Sequence, residues 1–171
     1  ETIDDPDDFV FSLRRLMIPR RVARAPADPA IAQAAVVAEA ERRGLTVAQR
    51  SGSLDGDVDA TCDRIANDLL APGAAPGVHV WGGEPTVVLP SRPGRGGRNQ
   101  HLALALAMRI AGRDDLSVLV AATDGSDGPT TDAGGRVDGA TIGRGELLGL
   151  DAAAALATAN AGVWLDGAGR W

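Results

Sequence analysis

The spacing of apolar residues changes period several times along the chain, and each change predicts an element. In "DPAIAQAAVVAEAERRG", Ile31, Ala34, Ala35 and Ala38 recur at helical intervals. Asp28 is placed to cap that helix, Pro29 suits its first turn, and Gly44 suits its stop. "LTVAQR" then reads as a short strand. "SGSLDGDVDATCDRIANDLLA" opens on turn residues and becomes a helix with Val58, Cys62, Ile65 and Leu69 on one face. Pro72 to Gly77 is a loop, and "VHVWGGEPTVVLP" gives two short strands around Gly82-Gly83. Leu102, Leu104, Leu106 and Ile110, set among alanines, predict a strong helix over 100–110.

Further on, "LSVLVAATDG" is a continuous apolar run of the length of a buried strand. "SDGPTTDAGGRVDG" reads as a long Gly/Asp/Thr loop. "TIGRGELLGLDAAAALATAN" supplies one or two helical segments, and "GVWLDGAGRW" a strand and a turn. Helical and strand patterns alternating in this order predict an α/β layered fold, with helices on both faces of a sheet of mixed strand directions. Residues 1–27 carry the acidic turn "DDPDD", a short apolar stripe and repeated prolines, and are expected to be a poorly ordered or partner-dependent arm. Residues 28–171 are expected to form one domain.

Composition narrows the chemistry. Aromatic residues make up 3% of the 171 residues, so Ala, Val, Leu and Ile must build the core. The formal net charge of −6 argues against general nucleic-acid binding, which needs a basic surface. All 17 basic residues are arginine, which excludes any lysine chemistry from this chain alone. Cys62 is single, so neither an internal disulfide nor a cysteine metal cluster is available. No apolar run approaches the roughly 20 residues of a membrane span, and the acidic start lacks the order of a secretory signal, so a cytoplasmic location is expected.

Three stretches can carry chemistry. In "WGGEPTVVL", Gly82 and Gly83 allow close approach of backbone to a ligand, and Glu84 can bind a cation or hold an arginine; a plain glycine bend with an exposed Glu is the alternative. In "SRPGRGGRNQ", three arginines and three glycines precede an apolar helix. A helix start is partly positive and disfavours cations by about 0.3–1 kcal/mol. A bound anion, at about 1.5–3 kcal/mol per charge-assisted contact, more than offsets that cost. Arg95, Gly96, Gly97, Arg98 and Asn99 therefore read as an anion site, although a flexible basic loop paired with surface acids uses the same residues. The glycine spacing matches neither a Walker loop nor a complete dinucleotide fingerprint. In "ATDGSDGPTTDAGGRVDG", Asp124, Asp127 and Asp132 follow a strand, where carboxylates can hold Mg²⁺ against a polyphosphate or accept a proton. Each Asp also suits a simple turn, as Thr123 and Thr130 suit caps.

Taken in order, "GGEPTVVL", "GRGGRNQHLALALA" and "AATDGSDGPTTDAGGRVDG" resemble the carboxy-terminal MOFRL domain of glycerate 2-kinases, a family whose older names include hydroxypyruvate reductase. The resemblance covers about residues 78–160. It implies ATP-dependent phosphorylation of D-glycerate at the 2-hydroxyl, in a cleft between two α/β domains. It assigns Arg98, with Arg95 second, to the glycerate carboxylate or the transferring phosphoryl group. It gives Asn99 a fixing role, and sets Glu84 and Asp124 in the cleft to position Mg²⁺ or substrate. Gly83, Gly96, Gly97, Thr123 and Gly125 join them as substrate or phosphate contacts, and Asp127 joins Asp124 as a metal candidate. Two departures stand out. The family's amino-terminal domain with its catalytic lysine is absent here, and the chain stops where relatives continue into "TGPTGTN". The expectation is a kinase part that is truncated at its carboxy end and needs its missing domain. A non-catalytic anion- or nucleotide-binding module, a self-associating remnant and a hydroxypyruvate reductase are the alternatives.

Overall fold

A computed structural model describes residues 29–168 of the chain. Helix α1 is Pro29–Arg42, followed by strands β1 (Val47–Ser53) and β2 (Gly56–Asp57), helix α2 (Val58–Leu70), and strands β3 (Val78–Gly82) and β4 (Pro85–Thr86). Helix α3 (Arg98–Arg109), the hairpin strands β5 (Ser117–Ala121) and β6 (Gly134–Asp138), and helices α4 (Thr141–Leu147), α5 (Ala152–Ala157) and α6 (Ala161–Ala168) complete the order. The α/β class and the mixed strand directions are as predicted. Among the described residues the pairing comes as three two-stranded ladders: β1 with β3 parallel, β2 with β4 parallel, and β5 with β6 antiparallel. No helix among them is long and apolar enough to cross a membrane.

Helix α3 organises the interior. Every residue from Gln100 to Ala107 is buried, so this helix has apolar neighbours all round. On one side Leu102, Ala105 and Leu106 pack with Leu54, Val58, Cys62, Ile65 and Ala66. On the other, Ala103, Leu104, Ala107 and Ile110 meet Val137 together with Ala161, Trp164 and Leu165 of α6. Helix α2 follows the predicted face. Its start is capped by the Asp57 carboxylate, which accepts from the N–H groups of Asp59 and Ala60.

Four expectations change. "GVWLDGAG" is a helix rather than a strand and a turn, because Ala161, Trp164, Leu165 and Ala168 recur at i, i+3, i+4 and i+7 and all four are buried. The second half of the predicted loop is strand β6, which pairs Gly134–Asp138 with Ala121–Ser117. The β5 run is half-buried rather than buried: Val118 and Val120 pack inward, while Leu119 is 38% exposed. A two-stranded ladder covered by α3 on one face explains that alternation. Helix α1 turns Val37 and Ala40 to the core, whereas Ile31, Ala34, Ala35 and Ala38 face outward. An alanine-rich helix is apolar on most sides, and the larger Val37 sets its inward face. The arm over 1–27 and the Asp28 cap lie outside the described residues.

Candidate functional site

The site is built where α3 begins. The first N–H groups of a helix have no intrahelical acceptor, and with the helix dipole they attract negative charge. Gly97 is the N-cap and has no side chain to offer. Two other residues substitute. The Gln100 side-chain oxygen reaches back to accept from Gly97 N–H at 3.2 Å. The Asp127 carboxylate accepts from Asn99 N–H at 3.0 Å and from Gln100 N–H at 2.7 Å. Asp127 is only 2% exposed, so this anion belongs to the fold. Gly97 is required here, since a Cβ at this position would collide with the Asp127 carboxyl group. The structure thus gives Asp127 a capping role. It is buried, and both its oxygens already hold helix amides.

Arg95 is also engaged. Its guanidinium donates to Asp132 at 3.2 Å and pairs with Asp166 of α6. Asp132 accepts from Gln100 Nε2 as well, at 3.0 Å. The backbone of the loop is tied down by the same region: Arg95 N–H donates to Asn160 Oδ1 at 2.9 Å, and Gly162 N–H donates to Arg95 carbonyl at 3.0 Å. Arg95 therefore clamps the glycine-rich loop to α6.

Arg98 is held differently. Its guanidinium pairs with Glu84 at 2.9 Å, with side-chain exposures of 41% and 71%. Glu84 reaches it from the bend at Gly82-Gly83, which packs so closely on the main chain that a Cβ at Gly83 would collide with Leu54. Leu54 N–H donates to Gly82 carbonyl at 2.7 Å and fixes the bend. The third stretch divides its work. Thr130 Oγ1 donates to the Asp127 carbonyl at 2.9 Å and shapes the capping turn. Asp124 stands exposed three residues earlier, where its Oδ1 accepts from Ser126 N–H at 3.2 Å. Thr123 and Gly125 lie half-buried in that turn. Among the described residues no group of three or more His, Cys, Asp or Glu side chains is spaced to hold a metal ion.

A small cavity opens beside the glycine-rich loop, lined by Val87, Leu89, Gly96, Gly97, His101, Ala159 and Ala161. Sequence reasoning missed His101. It is 8% exposed, its Nε2 lies 3.9 Å from Asp59, and its Nδ1 is buried without a hydrogen-bond partner. Burial lowers its pKa, against a smaller opposing effect of the Asp59 and Asp57 charges, and keeps the ring neutral. The signal was its spacing: four residues after Gly97 and three after Arg98, it shares their helical face.

The three stretches therefore converge on one helix end, where Arg95 meets Asp132 across 37 residues of chain. The model of the MOFRL family matches residues 77–170, which contain all three. The chain belongs to the MOFRL family. It is 37% identical over 125 residues to a glycerate 2-kinase of Pyrococcus horikoshii, a match covering 68% of this chain and 28% of that protein. It is 36% identical over 140 residues to a putative hydroxypyruvate reductase of Agrobacterium vitis, covering 78% of this chain and 32% of the relative. The crystal structure of a glycerate kinase from Thermotoga maritima superposes with a TM-score of 0.76 at 29% identity, over 82% of this chain and 35% of that one. This MOFRL chain thus spans about a third or less of the length of these relatives.

Proposed function

We propose that this chain is the MOFRL part of a glycerate 2-kinase, which transfers a phosphoryl group from ATP to the 2-hydroxyl of D-glycerate. One observation carries the reading. Of the anion receptors gathered at the start of α3, the helix amides are filled by buried Asp127 and Arg95 is clamped by two aspartates, while Arg98 pairs with one carboxylate, the exposed Glu84. An exposed ion pair is worth about 0–1 kcal/mol, so an incoming carboxylate or phosphoryl group displaces Glu84 at small cost. Arg98 then offers two parallel donors matched to either anion. Asn99, in the same helical turn, helps fix the bound group.

Phosphoryl transfer depends on positioning and charge neutralisation more than on covalent help. The rigid seating of the arginine loop on Asp127, Asp132 and α6 serves that need. Mg²⁺ commonly takes one or two carboxylates and completes its shell with phosphates and water. The exposed Asp124 fits that donor set, and Mg²⁺ held there would neutralise polyphosphate charge. The remaining machinery, including the cation that the family places on lysine, comes in this reading from an amino-terminal domain, and the cytoplasmic location expected from sequence goes with it.

Calorimetry of the 171-residue chain with D-glycerate and with inorganic phosphate tests the anion site. Binding that disappears in Arg98→Ala, with the fold intact, supports it; equal binding in the variant overturns it. Turnover of glycerate and ATP only after an amino-terminal domain from a relative is added supports the kinase assignment.

A further inference from the structure

Helix α3 ends well away from the anion site at its start. Met108 lies ten residues beyond Arg98, about 15 Å along the helix axis. There a groove of about 410 Å³ opens where α3, α4, α5 and α6 meet, walled by Met108, Ile142, Leu150 and Trp164. Its charged lining residues are two carboxylates, Glu146 and Asp151. Met108 is 41% exposed, and Leu147 and Leu148, which follow Glu146 directly, are 90% and 62% exposed. Apolar surface gathered in one place and rimmed by polar groups marks an interaction site. We propose that the groove is covered by residues 9–18 of this same chain, "FVFSLRRLMI", which lie outside the described residues, with Arg14 and Arg15 set toward Glu146 and Asp151.

Three features carry it. The first is apolar content. A chain poor in aromatics places both its phenylalanines, Phe9 and Phe11, in this segment, together with Leu13, Leu16, Met17 and Ile18. Removing such side chains from water is the main force in docking. The second is charge. From Phe9 to Ala27 the sequence has five arginines and no acidic residue, opposite in sign to the groove. Opposed charges of this kind fix the register of a docked segment. A twofold contact with a second copy would instead bring the two carboxylates of one groove against those of the other. The third is reach. Ten residues, 19–28, join the segment to α1. Extended, they span up to about 33–36 Å, against a radius of gyration of about 14 Å for a domain of this size. The inference stands independently of the glycerate reading.

The test uses the whole chain and its two methionines, Met17 in the segment and Met108 in the groove. With ¹³C-methyl methionine labelling, the Met108 methyl should show nuclear Overhauser contacts to phenylalanine ring protons, and both phenylalanines lie in the segment. The contacts should persist on dilution and be absent between differently labelled copies in a mixed sample. Glu146→Arg should remove them, and adding Arg14→Glu and Arg15→Glu to that variant should bring them back. Asp151 is kept, because its carboxylate caps α5. Phe9→Ala with Phe11→Ala should move the Met108 methyl resonance, while circular dichroism confirms the fold of each variant. A Met108 methyl without phenylalanine contacts in the wild type, contacts found only between copies, or contacts indifferent to Glu146→Arg overturn the inference.

Discussion

Arg95 lies in the glycine-rich loop and Arg98, three residues on, opens α3, and their partners differ. Arg95 faces Asp132 and Asp166, with its own backbone tied to Asn160 and Gly162. Arg98 faces a Glu84 that is 71% exposed. The same contrast divides the acids: Asp127 is 2% exposed beneath the helix, whereas Asp124 stands in solvent. One half of the loop is framework and the other is free to exchange partners. Residue type does not separate them; burial separates the acids, and the number of fixed partners separates the arginines, whose side-chain exposures are 42% and 41%.

The sharpest way to break this division is at its buried half. Asp127→Ala removes both acceptors from the start of α3 and should destabilise the fold by about 3 kcal/mol, read as a lower urea midpoint. Gly97→Ala drives a methyl group against the same carboxyl and should cost about 1–3 kcal/mol by the same measurement. Arg98→Ala should behave in the opposite sense. Its urea midpoint should stay within about 0.5 kcal/mol of wild type, while affinity for phosphate falls about 10- to 100-fold by calorimetry. Glu84→Gln should have the smallest effect: stability unchanged within about 0.5 kcal/mol, and phosphate affinity raised two- to threefold or so as the competing carboxylate is lost. A stability loss in Arg98→Ala as large as that in Asp127→Ala would erase the distinction.

Much of this arrangement was legible in the sequence. The face of α2, the extent of α3, the bend at Gly82-Gly83 and the three chemical stretches are local patterns, and local patterns survive reading in one dimension. Asp127 was not legible as a cap because its partners lie 27 and 28 residues away, and a carboxylate in an Asp-Gly turn reads equally well as a metal ligand. Strand β6 was obscured by its glycines and charges, since Gly134 and Gly135 carry no strand preference until Val120 and Ala121 pair with them. Helix α6 was hidden by the strand-like "GVWL", although the stripe from Ala161 to Ala168 was there to be counted. His101 looked like one polar residue in an apolar run. Its orphaned Nδ1 is visible only in three dimensions.

Helix α3 belongs to both halves of the core and also begins at the arginine loop. Its amide protons from Leu102 to Ala107 should therefore exchange with solvent only when the whole domain opens. The main chain beneath Arg98 shares that anchoring, while its exposed guanidinium stays free to change partners. A substrate reaching this helix would meet a mobile cation on a fixed base.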